Sequence, residues 1–372
     1  MERNTASEKV RYAVVGLGWI AQTSVLPAFK NAKSHSELVA LISSDTRKLE
    51  ELGDEYGVKG RYSYEDFERC LELESVDAVY IALPNHLHLE FTERAARAGV
   101  HVLCEKPMAL STEQCQAMID VCEQNQVKLM VAYRLHFEEA NLRSIEMIKE
   151  GAVGQPRFLQ ATFSMQAAEG NYRLDAARGG GPCLDLGVYC INAARYLFGE
   201  EPIEVQAMAS HYGERFDQVE EMATVTMRFP EEKHASFTCS FGAADVARWL
   251  VVGTKGSLEL DAAFELKEQM TQTLRQGETV KESSFEKRDQ FGPELVYFSE
   301  CILEDREPEP SGSEGKADLA VLEAISRSLV SGRKEPVNKV DVGQRPTLDQ
   351  EIFRPPVGKA KLVHTQQPSV AV

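Results

Sequence analysis

A short apolar run that ends in a glycine-rich turn constrains this chain more than any other stretch. Residues 10–15 are rich in β-branched side chains and lead directly into Gly16-Leu17-Gly18-Trp19-Ile20-Ala21. The glycines permit a tight turn and a close approach of the backbone to a pyrophosphate, and the small final residue lets the next helix pack on the strand. The sequence therefore predicts the first strand, turn and helix of a dinucleotide-binding unit. The alternative is a glycine turn in another kind of α/β domain.

The alternation of strand and helix continues through the first third of the chain. Further apolar runs predict strands at 38–44, 77–83, 100–107 and 127–132. Amphipathic stretches between them predict helices at 46–56, 88–98 and 111–124. This pattern is typical of a doubly wound, parallel α/β Rossmann sheet, which we predict over residues 1–133.

The strand at 100–107 reads Val-His-Val-Leu-Cys-Glu-Lys-Pro, so Glu105 and Lys106 lie at its carboxyl end. In an open parallel sheet the ligand crevice lies outside the carboxyl ends of the strands, where a lysine can take part in chemistry. The strand before it ends in Leu83-Pro84-Asn85, and His88 starts the next helix. We interpret His88 as a helix-start residue that contacts the cofactor, because no second metal ligand is suitably spaced.

The end of the second predicted strand bears on the choice of cofactor. It reads Ser43-Ser44-Asp45-Thr46-Arg47-Lys48, with hydroxyls at the tip and two cations one turn later. Hydroxyls and a guanidinium suit a 2′-phosphate, because arginine can donate two parallel hydrogen bonds to phosphate oxygens. The pattern favours NADP over NAD. In the NAD interpretation Asp45 holds the ribose, and in a third interpretation it only caps the next helix.

Composition excludes several classes of protein. The formal net charge of −17 disfavours nucleic acid and anionic membranes as partners, since both are polyanions. The eight cysteines form no C-x-x-C pair, which predicts buried thiols in a reducing compartment and no bound metal; a reactive Cys104 is the alternative. The amino terminus is polar, and no stretch reaches the ~20 apolar residues of a membrane span. These features predict a cytoplasmic protein.

The pattern changes after a helix predicted at 140–150. Strands with alternating faces are predicted at 156–165, 204–211, 222–229, 235–241, 248–252 and 257–260, followed by helices at 298–303 and 317–329. Few helices intervene, so we predict a mostly antiparallel, open sheet in an α+β domain over 134–334. An exposed sheet face commonly finds a partner, and we expect a homodimer or homotetramer through this sheet. Residues 335–372 are predicted to run as an irregular arm over a neighbouring surface.

A second polar cluster follows three glycines in the stretch 179–192, Gly-Gly-Gly-Pro-Cys-Leu-Asp-Leu-Gly-Val-Tyr-Cys-Ile-Asn. The glycines let the backbone pass close to another body, and the proline suits the first turn of a helix. Asp185, Tyr189 and Asn192 are spaced by four and three residues, so they project from one helix face. The structural alternative is that the aspartate complements the helix dipole and the tyrosine is a buried aromatic.

Glu105-Lys106-Pro107 together with the 179–192 motif resembles the family of glucose-fructose oxidoreductase and inositol dehydrogenase. The resemblance extends to Pro84-Asn85-x-x-His88, Tyr133-Arg134 and Tyr172-Arg173. Most of that family has histidine where this chain has Tyr189, and the tyrosine is more similar to the glucose-fructose oxidoreductase branch. That branch implies NADP and pyranose substrates. Its members often carry an export signal, which this sequence does not show.

The implied roles agree with elementary chemistry. Oxidising an aldose at C1 removes a hydroxyl proton while hydride leaves for the nicotinamide ring. A free phenol ionises near pH ~10, but an ammonium ~5 Å away favours phenolate by ~3 kcal/mol at an effective dielectric of ~20. We therefore hypothesise that Tyr189 is the acid/base and that Lys106 tunes it and polarises the sugar oxygen. Asp185 would position the sugar, and Arg134 and Arg173 would steer the cofactor or the sugar hydroxyls.

Three functions remain open at this point. The first is an NADP-dependent sugar oxidoreductase, including one that passes hydride between two sugars on a retained cofactor. The second is a cyclitol or dihydrodiol dehydrogenase of the same fold. The third is a regulator that binds nucleotide without turnover, which has no need of a tuned phenol.

Overall fold

A computed structural model describes residues 9–266 and 268–370 of the chain. The polar amino-terminal residues 1–8, on which part of the cytoplasmic prediction depends, lie outside the described residues.

Six parallel strands form the first sheet: β1 (Val10–Val15), β2 (Ser36–Ile42), β3 (Gly60–Tyr62), β4 (Ala78–Ile81), β5 (His101–Glu105) and β6 (Leu129–Ala132). Their spatial order is β3-β2-β1-β4-β5-β6, and each neighbouring pair is parallel. The order reverses between β1 and β4, so a crevice opens beyond the carboxyl ends of these strands. The predicted doubly wound parallel sheet is confirmed.

Helices cover both faces of this sheet. On one face lie α1 (Leu26–Ala32), which continues from a π-helical turn at Ala21–Val25, and α2 (Thr46–Tyr56). The opposite face is covered by α3 (Phe67–Leu73), α4 (His88–Arg97) and α5 (Thr112–Gln124). The predicted caps are present: Asp45 accepts a hydrogen bond from the backbone of Lys48 at 3.2 Å, and Ser111 accepts one from Gln114 at 3.2 Å.

The second sheet has nine strands: β7 (Pro156–Gln166), β8 (Glu204–Ser210), β9 (Met222–Arg228), β10 (His234–Ser240), β11 (Gly242–Gly253), β12 (Ser257–Asp261), β13 (Met270–Gln276), β14 (Thr279–Phe285) and β15 (Glu335–Pro336). Their order is β14-β13-β12-β11-β7-β10-β9-β8-β15, and β7 and β10 form the parallel pair in an otherwise antiparallel sheet. The prediction of a mostly antiparallel sheet is confirmed. The β13–β14 hairpin was not predicted, because its strands carry polar side chains on both faces.

Four α-helices of the described residues follow β6: α6 (Glu139–Lys149), α7 (Val188–Phe198), which continues from a π-helical turn at Cys183–Gly187, α8 (Gly292–Leu303) and α9 (Gly312–Ser331). Both α8 and α9 begin earlier than predicted. Helix α8 returns to the first sheet beside α1, where the Ser299 hydroxyl is 2.9 Å from the hydroxyls of both Tyr12 and Ser36. Helix α9 packs against α5 and β8. None of the described helices is long and apolar enough to cross a membrane.

The residues after β15, at 337–370, form an irregular C-terminal arm, while the first two residues of the predicted arm, 335 and 336, belong to β15 in the second sheet. Its backbone at Val363 is held by both amide atoms of the buried Gln22 side chain, at 2.8 and 2.9 Å. Beyond this point the arm runs alongside the end of β7, where Val370 donates to the Gln166 carbonyl at 2.9 Å. The arm therefore connects the first sheet to the second across the crevice.

Candidate active site

A cleft of about 940 Å³ lies beyond the carboxyl ends of β1, β4 and β5 and is bounded by the second sheet and the C-terminal arm. This volume is at the upper end of the range of ~300–1,000 Å³ for small-molecule sites. Most of the residues predicted for the site line it: Gly16, Gly18, Trp19, Ile20, Ser43, Ser44, Lys48, Leu83, Pro84, Asn85, Glu105, Lys106, Arg134, Arg173, Asp185 and Tyr189.

The glycine turn after β1 has the geometry that a dinucleotide requires. Gly16 has φ of +92°, and a Cβ there would lie 2.6 Å from the Ala82 carbonyl oxygen, so only glycine fits. A Cβ at Gly18 would meet no described protein atom within 4 Å, which leaves the backbone accessible from the cleft. The helix begins at Trp19, so its amino-terminal N–H groups lie at this part of the cleft and favour a phosphate. These residues fit the pyrophosphate of a dinucleotide.

Lys106 lies between the aspartate and the tyrosine of the glycine motif. Its Nζ donates to the Asp185 backbone oxygen at 2.9 Å and to Asp185 Oδ1 at 3.0 Å. The same atom is 4.5 Å from the centroid of the Tyr189 ring. Burial is the largest single influence and lowers the pKa of Lys106, but Asp185 and the acidic groups beside it together outweigh burial, and the pKa is raised. The lysine is therefore an ammonium over the face of the phenol.

Asp185 holds two cations in the cleft. Its Oδ2 accepts a hydrogen bond from Arg173 Nε at 2.6 Å, while Oδ1 accepts from Lys106. Burial opposes ionisation, but these two cations together hold the pKa of the carboxyl well below its usual range. Asp185 is thus a carboxylate that anchors Lys106 and Arg173. Its predicted contact with a sugar stays a prediction.

Arg134 contacts the hydroxyl of Tyr189 directly. Its Nε donates to the Tyr189 hydroxyl at 3.0 Å, and its other N–H groups bond to Gln290 and to the carbonyls of Phe264 and Glu265. A fixed cationic donor at this distance stabilises negative charge on the phenol oxygen. Sequence reasoning assigned Arg134 to the cofactor or the sugar and did not foresee this contact.

The glycine loop before α7 is joined to the first sheet. Gly179 has φ of +79°, and its carbonyl accepts a hydrogen bond from Asn85 Nδ2 at 2.9 Å. A Cβ at Gly180 would lie 2.4 Å from the Arg173 carbonyl, so the loop also packs closely on the segment that contains Arg173. These contacts hold the end of β4 against the start of α7, which contains Tyr189.

Comparison with known proteins agrees with this geometry. Residues 10–133 match an oxidoreductase family with an NAD-binding Rossmann fold, and residues 142–259 match the GFO/IDH/MocA C-terminal domain. The chain is also 32% identical over 332 residues to the D-xylose 1-dehydrogenase [NADP(+)] of Haloarcula marismortui, a match that covers 87% of this chain and 92% of the relative. The chain belongs to the GFO/IDH/MocA oxidoreductase family. The resemblance predicted from the motifs is confirmed.

Solved structures of GFO/IDH/MocA-like architecture support the fold over nearly the same span. The aldose-aldose oxidoreductase from Caulobacter crescentus, complexed with glycerol, has a TM-score of 0.84 and 38% identity, and the match covers 88% of this chain and 100% of that one. A 3-ketoreductase from Actinomadura kijaniata, in complex with NADP and TDP-benzene, has a TM-score of 0.80 and 26% identity. That match covers 87% of this chain and 98% of the other.

Three residues that we predicted for the site of this GFO/IDH/MocA protein do not line the cleft. Arg47 is turned toward Glu51, with its Nε 2.5 Å from Oε1. His88 is fully buried, and its ring nitrogens lie within hydrogen-bonding distance of backbone carbonyls, with Nε2 2.9 Å from that of Leu83. Asn192 lies one turn beyond the tyrosine, bonds to Asp318 at 3.3 Å and lines a cavity of about 40 Å³ behind the phenol ring.

These placements correct the sequence interpretation. His88 packs between the end of β4 and the end of the 100–107 stretch, with its Nδ1 3.1 Å from the Pro107 carbonyl, so it positions the cleft walls without reaching the cleft. The helix face that contains Asp185 and Tyr189 turns away from the cleft before Asn192. Residues 9–266 and 268–370 contain no group of three His, Cys, Asp or Glu arranged to hold a metal ion.

Sequence reasoning missed two parts of the site. The Tyr80 hydroxyl lies 2.9 Å from Glu105 Oε1 and 3.3 Å from Glu294 Oε2, and burial raises the pKa of both carboxyls. The proline at the start of α8 was the available signal for Glu294, because proline favours the first turn of a helix. The other missed part is the C-terminal arm, whose residues 364–366, 368 and 369 line the cleft. No local pattern indicates that the arm lies there.

Proposed function

We propose that the protein is an NADP-dependent oxidoreductase that transfers hydride between nicotinamide and C1 of an aldose. The principal support is the phenol of Tyr189, which lies within reach of two cations in a cleft that begins at a dinucleotide-type turn. The names of similar proteins, a D-xylose 1-dehydrogenase and an aldose-aldose oxidoreductase, point to the same chemistry.

Tyr189 is assigned as the base that removes the proton of the C1 hydroxyl. NADP, held at the Gly16–Gly18 turn, would supply the acceptor for the hydride of C1. Arg134 Nε, at 3.0 Å from the phenol oxygen, stabilises the charge of the phenolate, and the Lys106 ammonium adds a second positive charge over the ring. In the opposite direction the same phenol returns the proton to the carbonyl oxygen. The ring is held for this role by Phe163 and Phe264, whose centroids lie 5.4 and 5.9 Å away.

Lys106 is assigned a second role, as a hydrogen-bond donor to the substrate oxygen at C1. An ammonium has three N–H groups, and among the described residues its hydrogen-bond partners are two oxygen atoms, both on Asp185. One N–H therefore remains to polarise the oxygen at C1. Asp185 keeps the lysine charged and in place, and Arg173, on the other carboxylate oxygen, is available for sugar hydroxyls or for the cofactor.

A panel of substrates tests the proposal. Glucose, xylose, fructose, inositol and a dihydrodiol are assayed with NADP and with NAD by the absorbance of the reduced nicotinamide. We expect turnover with at least one aldose and a preference for NADP. Turnover of inositol or a dihydrodiol alone would favour the cyclitol or dihydrodiol alternative, and tight NADP binding with no turnover would favour the regulator.

Hydride transfer between two sugars has its own signature. Purified protein is mixed with an aldose and then with a ketose or a second aldose, without added cofactor. If the cofactor stays bound, the reduced-nicotinamide absorbance rises and then falls. Absorbance that appears only when NADP is added would indicate a plain dehydrogenase.

The open face of the second sheet is proposed as the surface for a homodimer or homotetramer. It exposes Phe158 on β7 and Met208 on β8 by 40% and 77%, beside threonines such as Thr224 on β9. Apolar side chains on an exposed sheet face favour association with a second copy. Gel filtration at micromolar concentration should give a dimer or tetramer, and a monomer would remove the proposal.

A further inference from the structure

The C-terminal arm places a histidine beside the residues that distinguish NADP from NAD. His364 lines the cleft beside Ser43 and Ser44, at the end of β2. The preceding residue, Val363, is fixed by two hydrogen bonds to the buried Gln22. His364 itself has φ of 44°, a conformation that residues other than glycine adopt rarely. The backbone on its amino-terminal side is therefore anchored to the first sheet.

The contacts of His364 identify its tautomer. Its Nε2 is 2.8 Å from Arg47 Nη1, and its Nδ1 is 3.1 Å from Asp45 Oδ2. A guanidinium can only donate, so Nε2 accepts the bond from Arg47. The proton then resides on Nδ1, which donates to the carboxylate. A single neutral ring thus bridges Arg47 and Asp45. In the sequence, Arg47 supports the NADP interpretation and Asp45 supports the NAD interpretation.

This bridge occupies Asp45. One carboxylate oxygen accepts the Lys48 backbone N–H at 3.2 Å as the helix cap, and the other accepts from His364. In NAD-preferring sites a carboxylate at the end of this strand accepts a hydrogen bond from the ribose 2′-hydroxyl. Here both oxygens already have a donor, so a ribose hydroxyl that bonds to Asp45 must share an oxygen with the Lys48 N–H or with His364.

A second arm residue affects Arg47. Lys361 Nζ lies 2.9 Å from Glu51 Oε2, while Arg47 Nε bonds to the other oxygen of the same carboxylate. If Arg47 turns toward a phosphate, Glu51 keeps a cationic partner. Lys361 therefore lowers the cost of separating Arg47 from Glu51. His364 meanwhile holds the Arg47 guanidinium beside the end of β2.

We propose that His364 is a positioning residue that makes the cleft selective for a cofactor with a 2′-phosphate. It competes with a ribose hydroxyl for the Asp45 carboxylate and keeps Arg47 close to the place of the phosphate. This inference rests on the proposed function, in which a nicotinamide dinucleotide binds in this cleft, and it adds the part of the chain that distinguishes the two dinucleotides.

The test compares His364→Ala with His364→Gln in the full-length chain, by titrating NADP and NAD and following protein fluorescence. Alanine removes the bridge, so the ratio of NADP to NAD affinity should fall by ~10-fold, or about 1.4 kcal/mol. Glutamine can donate to Asp45 and accept from Arg47 with one amide, so it should retain most of the preference. His234→Ala is the matched control, because His234 is exposed at the start of β10 and should leave both affinities unchanged.

Titration with adenosine 2′-monophosphate and adenosine 5′-monophosphate isolates the phosphate contact. His364→Ala should weaken only the 2′-monophosphate. If the wild-type protein does not prefer NADP, the cofactor assignment in the proposed function fails. If it prefers NADP but His364→Ala keeps the same ratio, or weakens both dinucleotides equally, the role of His364 is refuted and the proposed function stands.

Discussion

Replacing Lys106 with methionine removes one positive charge from the face of Tyr189 and keeps an unbranched side chain of similar length. The Lys106 ammonium lies 4.5 Å from the ring centroid. With the phenolate charge placed at the ring centroid, two unit charges at that distance attract by ~3.7 kcal/mol at an effective dielectric of ~20, which is a factor of ~500 in rate. Solvent in the cleft screens part of this attraction, so we expect Lys106→Met to lower kcat by ~10²-fold.

The variant should keep its fold. Asp185 retains its bond to Arg173 at 2.6 Å, so no buried carboxylate is left without a cation. Lys128→Met is the matched control, because Lys128 is also largely buried, with 8% of its side chain exposed, and pairs with Asp305 at 3.0 Å outside the cleft. We expect the control to lose some thermal stability and to keep its kcat.

Initial rates of reduced-nicotinamide formation at saturating aldose and NADP measure the effect, and cofactor titration separates binding from chemistry. The activity of Lys106→Met should also recover partly as the pH is raised, because hydroxide then helps to remove the substrate proton. If the variant binds cofactor normally and keeps kcat within about fivefold of the wild type, the electrostatic role of Lys106 is wrong.

Three further predictions follow from the same structure. Tyr189→Phe keeps the ring contact with Phe163 but loses the proton acceptor, so kcat should fall by ~10²–10⁴-fold with unchanged cofactor affinity. A near-normal kcat would exclude Tyr189 as the acid/base. Burial, aided by the charge of Glu314, raises the pKa of Glu309 to about 8, above its value in the unfolded chain. The contribution of Glu309 to the stability of the folded chain is therefore complete at acidic pH and is lost as the pH rises through that value. The difference in Tm between Glu309→Gln and the wild type should thus grow in favour of the variant between about pH 5 and pH 9. A constant difference would contradict this. All eight cysteines are buried, and burial raises the pKa of the Cys104 thiol. Iodoacetamide should therefore modify the native chain slowly and the unfolded chain at every cysteine. Rapid modification of Cys104 in the native chain would contradict its burial.

The parts of the fold that depend on local chemistry were predictable from the sequence. The β-branched run before Gly16 forms β1, and the glycine has the positive φ that the tight turn requires. Helix α2 begins and ends at the predicted residues, with Asp45 as its cap. Alternating apolar side chains correctly indicated β7 to β12, because each strand has one face in the core.

Other parts gave no local signal. The core-facing side of the β13–β14 hairpin mixes Met270 and Phe285 with polar residues such as Gln272, so its alternation is hard to see in hydrophobicity. The start of α8 contains the buried Glu294, which interrupts the apolar pattern. His88 was correctly predicted at the start of a helix, but its orientation into the interior depends on the carbonyls of β4 and of the 100–107 stretch, which only packing brings together.

By itself, the sequence determined that Lys106, Asp185 and Tyr189 lie at the ends or on one face of regular elements, because strand endings and helix spacing are local properties. Only the tertiary structure decided that Arg134 bonds to the phenol and that His364 reaches Asp45. Asp45 and His364 are 319 residues apart along the chain. A contact over such a separation depends on how the arm folds back over the first sheet, and no periodicity of either segment specifies that path.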